Sequence, residues 1–300
     1  MLFERGPPVT REGCPDIPTA MKILVTGAGG MLGHDVVRAA EFVNHEVVAL
    51  ARADLDVTDE RAVRRAFARE RPGAVVNCAA WTDVDGAEAD PEGAARLNAT
   101  AAGTIAAAAA EVGAAVVHPS TDYVFDGTKE SAYVESDHPN PLSVYGATKL
   151  AGEHAVAEAN PRHLVVRSSW LFGASGPNFV ETMLRLGRDL GEVVVVRDQV
   201  GCPTYTGHLA DALVRLLDGG DHGLHHIAGD GACSWFDFAV EIFDQTGVEC
   251  RTLSCTTEEF PRPAPRPANS ALATERDYAL YLPDWREGLR SYLAERAVTP

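Results

Sequence analysis

Short apolar runs alternate with amphipathic stretches through the first half of the chain. Residues 23–26, 46–50, 74–78, 115–118 and 163–167 are dominated by Val, Ile, Leu and Ala. Runs this short and this apolar read as strands buried on both faces, the pattern of a parallel sheet. Between them, apolar positions fall at helical spacing over 31–40, 59–69, 91–112 and 143–157. Thr58 or Asp59 can cap the second helix, and Pro91 suits a first helical turn. Strand–helix–strand repetition calls for right-handed crossovers. The pattern therefore predicts an α/β fold, a Rossmann-type doubly wound parallel sheet.

Beyond about residue 170 the alternation loosens. Helices over 178–190, 209–217 and 235–246, strands over 193–196 and 224–227, and a last helix over 284–296 remain readable. A Pro-rich stretch, Pro261-Arg-Pro-Ala-Pro-Arg-Pro267, precedes that last helix. Residues 21–170 are expected to form mainly the dinucleotide-binding domain. Residues 171–300 are expected to form mainly a smaller substrate-binding lobe, interleaved with the first. Residues 1–20 hold four prolines and no periodic apolar face. They are expected to be a disordered extension, with Met21 a natural start ahead of the first strand.

Composition narrows the function. The chain has 300 residues and a net charge of −17, which disfavours a nucleic-acid or membrane-surface partner. No apolar run approaches the roughly 20 residues of a membrane helix. Its six cysteines include no Cys-x-x-Cys pair, as expected of a reduced cytoplasmic chain. His222, His225 and His226 sit around a short strand and read as structural, so no metal site is assigned.

The first strand runs into Thr26-Gly27-Ala28-Gly29-Gly30-Met31-Leu32-Gly33 and then a helix. Gly27 permits a tight turn, Gly30 lets the backbone approach a pyrophosphate, and Gly33 lets helix and strand pack closely. The helix start at Met31 and Leu32 then offers free N–H groups to the phosphates. Strand two ends in Ala51-Arg52. In this fold a carboxylate at that place binds the ribose hydroxyls of NADH. Ala51 carries no charge, and the Arg52 guanidinium suits a 2′-phosphate. The expected cofactor is NADPH, with dual use of NADPH and NADH as the alternative if Arg52 instead faces solvent or pairs with Asp54 or Asp56.

Tyr145-Gly-Ala-Thr-Lys149 places a phenol and an ammonium four apart on one helical face. The ammonium is expected to lower the tyrosine pKa, so that Tyr145 can protonate a carbonyl oxygen as hydride reaches its carbon. Lysine is rare here, occurring only at Lys22, Lys129 and Lys149, which weighs against an incidental surface pair. Thr121, beyond the fourth strand, is placed to hydrogen-bond a substrate carbonyl.

These residues resemble the extended short-chain dehydrogenase/reductase superfamily. Val84-Asp-Gly-Ala-Glu88, Ser120-Thr-Asp-Tyr-Val-Phe125, Arg167-Ser-Ser-Trp170, Gly201-Cys-Pro-Thr204 and Arg266-Pro-Ala-Asn-Ser-Ala-Leu272 are similar to one branch of it, the dTDP-4-dehydrorhamnose reductase family. The resemblance implies reduction of the 4-keto group of a dTDP-4-keto-6-deoxyhexose, dTDP-4-dehydrorhamnose giving dTDP-rhamnose. It implies Tyr145 as proton donor and Lys149 as its partner on the nicotinamide ribose. Thr121 and Asp122 would contact the sugar, and Val84 and Trp170 would line its site. Asn98 would help hold a relay water beside Lys149. Ala80, Trp81 and Thr82 would touch cofactor, with Asp56 and Val57 near its adenine. The family often has an acid where Ala51-Arg52 stands. Some members form a magnesium-bridged dimer whose acids are not identifiable in this chain, which leaves magnesium and a homodimer open. Three other readings remain: an epimerase or dehydratase, a reductase for an antibiotic deoxysugar, and a non-catalytic regulatory subunit of methionine adenosyltransferase. The intact Thr121, Tyr145 and Lys149 weigh against the last.

Overall fold

A computed structural model of the chain describes residues 20–298, so the expected extension lies, but for Ala20, outside the described residues. The chain order begins β1 (Lys22–Thr26), α1 (Met31–Phe42), β2 (Glu46–Leu50), α2 (Glu60–Glu70), β3 (Ala74–Asn77), α3 (Val84–Ala89), α4 (Pro91–Ala95), α5 (Ala102–Glu111), β4 (Ala115–Thr121), α6 (Val144–Ala159) and β5 (His163–Ser168). It continues with β6 (Leu171–Phe172), α7 (Phe179–Leu190), β7 (Glu192–Val196), β8 (Val200–Gly201), β9 (Thr204–Tyr205), α8 (Thr206–Gly219), β10 (Gly223–His226), β11 (Cys233–Ser234), α9 (Trp235–Thr246), β12 (Arg251–Cys255) and α10 (Trp285–Val298).

Six strands form one parallel sheet in the order β2-β1-β3-β4-β5-β10. Successive side chains of a strand point to opposite faces, and here both faces are buried. Ile23 and Val25 pack on one side with Val36 of α1 and Leu209 and Leu213 of α8. Leu24 packs on the other with Phe67, Ile105 and Val156. The register sets Thr26 beside Asn77 and Thr121 beside Ser168, with Val76 beside Val117, so β4 and β5 run past the ends of β1 and β3 at the carboxyl edge of the sheet. Ligands of open α/β sheets bind at that edge.

A further core unites Phe172, Leu184, Val195, Phe238, Ile242, Trp285, Leu289 and Tyr292, contributed by α7, β7, α9, α10 and the short β6. The sixth strand and α8 come from the second half of the chain, yet they complete the first-half sheet.

Several elements differ from the sequence reading. The stretch 91–112 is not one α-helix, because a π-helical turn, Arg96–Ala101, separates α4 from α5. Such turns are rare and concentrate at functional sites. The fourth strand runs on to Thr121, so Ser120 and Thr121 lie within it rather than beyond it. Helix α3, capped by Asp83, is too short to register as periodicity. Strand β12 pairs with β7 in parallel and is half exposed, so it lacks the apolar run that marks the central strands. No described helix is long and apolar enough to cross a membrane.

Candidate active site

The glycine loop is shaped by contacts that exclude side chains. Gly27 has φ +66°, and a Cβ there would lie 2.6 Å from the Ala79 nitrogen. A Cβ on Gly33 would lie 2.3 Å from the Gly27 carbonyl oxygen. These two approaches let α1 start close above β1, and the Gly30 N–H closes the turn onto the Gly27 carbonyl at 2.9 Å. Gly30 is the N-cap, and no side chain caps the helix. Its first N–H groups therefore stay available to an anion, and Gly30, Met31, Leu32 and Gly33 line the adjoining cleft. An uncapped helix start above a glycine turn fits a dinucleotide pyrophosphate.

The cleft has a volume of about 640 Å³ and follows the carboxyl edge of the sheet. Tyr145 and Lys149 reach it from α6, which Ser143 caps by accepting from the Gly146 N–H at 3.1 Å. Two small residues hold α6 tightly in place: a Cβ on Gly146 would meet the Tyr123 carbonyl oxygen at 2.2 Å, and one on Gly152 that of Asn98 at 2.1 Å.

The electrostatics correct one expectation. Lys149 does not lower the pKa of Tyr145. Its ammonium donates to the Pro119 carbonyl at 2.7 Å. Burial dominates the phenol and pushes it up to about 12, against a lowering contribution from the Thr121 hydroxyl and together with a raising one from Asp122. Tyr145 thus holds its proton at neutral pH, as a donor to a carbonyl must. Lys149 is itself pulled down to about 8 by burial, with Glu153 and Cys78 opposing the shift. Glu153 follows Lys149 by one turn and is fixed from behind. Arg167 donates to both its oxygens, at 2.9 and 2.7 Å, and Ser120 donates at 2.5 Å.

Thr121 is more constrained than its position in sequence suggests. Its oxygen accepts from the Tyr123 N–H at 3.1 Å, and its hydroxyl contacts Asp122 Oδ1 at 3.1 Å. Asp122 is 2% exposed, lines the cleft, and is raised by burial to about 6. Trp170 closes the cleft further along and stacks on Trp235 of α9.

Of the residues singled out in the sequence, Gly30, Met31, Leu32, Gly33, Ala80, Thr82, Val84, Thr121, Asp122, Tyr145, Lys149 and Trp170 converge on this cleft. Gly27 lies beneath the loop. Asn98 sits in the π turn behind the cleft and makes three side-chain hydrogen bonds. Its Oδ1 accepts from the Trp81 N–H at 2.8 Å, and its Nδ2 donates to the Trp81 carbonyl at 3.2 Å and the Thr148 hydroxyl at 3.1 Å. Its side chain thereby braces the 80–82 loop against α6. Val57 is buried in the core with Leu24 and Phe67. Asp56 accepts from the Thr58 hydroxyl and N–H, and these bonds, with smaller help from Arg52 and Arg96, hold it below the usual carboxylate range. Arg52 is exposed just past β2, where Asp54 folds back to accept from the Ala51 N–H at 3.0 Å. An acid thus returns to the end of strand two, where the linear sequence shows Ala51 and Arg52.

Tyr123, Asn77 and Trp235 also line the cleft and were given no role by the sequence reading. Tyr123 adjoins Asp122, and Asn77 ends β3, so the strand-end rule could have found both. Nothing in the local sequence marks Trp235. The histidines 225 and 226 meet backbone carbonyls of Asp221 and Ala273 at 2.8 and 2.9 Å. Among the described residues, no group of three or more His, Cys, Asp or Glu side chains could hold a metal ion.

A doubly wound sheet, a glycine loop at its first strand and a Tyr-x-x-x-Lys helix on one cleft define an extended short-chain dehydrogenase/reductase. Residues 21–298 match the family model described as RmlD substrate binding domain. The chain is 44% identical over 282 residues to dTDP-4-dehydrorhamnose reductase of Mycolicibacterium smegmatis, covering 92% of this chain and 86% of that protein. It is 44% identical over 277 residues to a probable dTDP-4,6-dihydroxy-2-methyloxan-3-one 4-ketoreductase of Streptomyces antibioticus, covering 90% and 94%. Its structure superposes on that of dTDP-4-dehydrorhamnose reductase from Bacillus anthracis in complex with NADP, with a TM-score of 0.90 at 37% identity, covering 92% and 100%. The chain belongs to the dTDP-4-dehydrorhamnose reductase family.

Proposed function

We propose that this chain reduces the 4-keto group of a dTDP-4-keto-6-deoxyhexose, with dTDP-4-dehydrorhamnose as substrate and NADPH as the preferred reductant. The observation that carries the reading is the meeting of Tyr145, Lys149 and Thr121 with the uncapped start of α1 in one cleft. The family relationship supports the substrate class, and the NADP complex of the Bacillus anthracis relative supports the cofactor.

The cofactor would lie along Gly30–Gly33, past Ala80 and Thr82, to Lys149, and when bound it supplies the hydride. Tyr145 gives its proton to the carbonyl oxygen at the same centre, and a positioned acid of this kind contributes about 10²–10⁴-fold in rate. Lys149 would hold the nicotinamide ribose beside Tyr145, and the Asn98 brace keeps the 80–82 loop in place. Val84 and Trp170 wall the sugar side and exclude water. The lobe built from α7, β7, α9, β12 and α10 would hold the rest of the nucleotide-sugar. Arg52 beyond β2 supports NADPH, while the return of Asp54 narrows the margin over NADH.

The Streptomyces antibioticus relative supports a second reading, reduction of an antibiotic-type deoxysugar by the same chemistry. Incubation of the purified chain with NADPH and each of several dTDP-4-keto-6-deoxyhexoses, with product assignment by NMR, separates the two. Cofactor consumption with a 4-hydroxy product supports the proposal. Absence of turnover with every such sugar, or tightly held cofactor that never exchanges, overturns it in favour of an epimerase.

A further inference from the structure

The motif Arg266–Leu272 is far from the cleft in sequence and has no part in the reaction described above. In the structure it runs beside the cleft, against Asp85 and Asp122. Arg262 and Arg266 grip Asp85, next to Val84, and the Ala264 N–H donates to the same carboxylate at 3.1 Å. The segment then pairs with β8, through Ser270 N–H to the Val200 carbonyl at 2.8 Å and Val200 N–H to the Ala268 carbonyl at 2.9 Å. This anchoring presents the Ser270 hydroxyl, itself 1% exposed, to Asp122 Oδ2 at 2.5 Å.

An ionised carboxylate only accepts hydrogen bonds. With Asp122 ionised, every hydroxyl that touches it must donate, Ser270 to Oδ2, Thr121 to Oδ1, and Ser169 beside them. Thr121 is thus tied to Asp122 on one side and accepts from the Tyr123 N–H on another, and its hydroxyl also meets the Tyr145 phenol. The placement of the Asp122 carboxylate therefore fixes the hydroxyl that stands beside the proton donor.

We propose that Ser270 is a positioning residue of the reductase site, holding Asp122 ionised and oriented so that Thr121 is fixed beside Tyr145 in the cleft. This inference rests on the reading of the cleft as a ketoreductase site. It assigns the Arg266–Leu272 segment a task in the chemistry, carried through three side chains to the proton donor. The titratable groups that sense the Asp122 charge are Tyr123, Tyr145 and Cys202, each raised by burial and so neutral near pH 7. Burial raises Asp122 itself, while Ser270, Thr121 and Ser169 lower it. Removing the Ser270 hydroxyl therefore moves the carboxyl further up.

The test is a carboxyl-carbon NMR titration of aspartate-labelled protein, with Asp122→Asn assigning the resonance, beside the pH profile of kcat/KM. Ser270→Ala should raise the Asp122 midpoint by about one to two units, the range expected for one hydrogen bond to a charged group. The acid limb of kcat/KM should move upward by a similar amount. Ser270→Thr, which keeps the donor, should leave both near wild type. An Asp122 midpoint unmoved in Ser270→Ala overturns the inference. So does a moved midpoint with an unmoved kinetic limb. A wild type that turns over no 4-keto sugar sinks the functional reading instead, and the NMR arm then still decides whether Ser270 governs Asp122.

Discussion

Trp170 lies flat on Trp235, with ring centroids 3.6 Å apart and planes 6° from parallel. Trp170 holds φ at 48°, a left-handed conformation that is strained for a bulky side chain. It is held there from two sides. Trp235 covers one face of the indole, and on another side a Cβ on Gly201 would come within 2.4 Å of its Cε2. The cleft wall is therefore a strained residue kept in place by two distant segments.

Truncation of Trp235 should loosen that wall. An aromatic pair contributes about 0.5–1.5 kcal/mol beyond its buried area, or roughly a two- to tenfold effect. Trp235→Ala is expected to raise KM for the nucleotide-sugar by that factor while leaving NADPH affinity unchanged. Gly201→Ala should act in the same direction by pushing the indole away. Steady-state kinetics alongside fluorescence titration of NADPH would check this, and an equal loss in both would point to general unfolding.

Tyr145→Phe keeps the ring and removes the proton. Turnover should fall by about 10²–10⁴-fold with little change in cofactor binding. Single-turnover measurements at several pH values would show whether a background rate from water remains.

Lys149 sets the alkaline limit. Its pKa is lowered to about 8, so its positive charge is present below that pH and is lost as pH rises through it. Cofactor affinity and kcat/KM should decline over the same interval. Glu153 raises the Lys149 pKa, so Glu153→Gln should move the decline to lower pH. An unchanged alkaline limb in that variant would remove Lys149 from the explanation.

The pair behind Lys149 should matter for stability as well. Arg167 and Glu153 have side chains 3% and 6% exposed and meet at 2.7 Å. Removing one partner of a buried pair leaves an uncompensated charge and costs about 3–5 kcal/mol. Arg167→Met is expected to lose stability on that scale by denaturant titration, whereas a change at the exposed Arg251–Glu192 pair should be nearly silent.

Arg52 tests cofactor choice. A charge-assisted contact to a 2′-phosphate is worth about 1.5–3 kcal/mol, roughly a ten- to hundredfold preference. Arg52→Ala should erode NADPH preference by up to that factor, measured as the ratio of kcat/KM for the two cofactors. An unchanged ratio would shift attention to Asp54, which the fold returns to the end of β2.

The central strands, the glycine loop and the Tyr145/Lys149 helix were legible in the sequence because each is a local property. Alternation buries Ile23 and Leu24 on opposite faces whatever lies beyond them. A spacing of four sets Tyr145 and Lys149 on one helical face wherever that helix packs. The strand-end rule likewise located Thr121 before any neighbour was known. Other features depended on approaches between residues remote in the chain. Ser270 meets Asp122 across 148 positions, and the hydroxyls of Thr26 and Thr206 come to Asn77 and Asp35 across 51 and 171. Lys149 turned to the Pro119 carbonyl rather than to the phenol, and burial set the Tyr145 pKa in place of the expected ammonium. Burial and long-range pairing arise only when the chain has closed on itself. The sequence therefore determined which groups could do the chemistry, and the tertiary structure decided how each is oriented and charged.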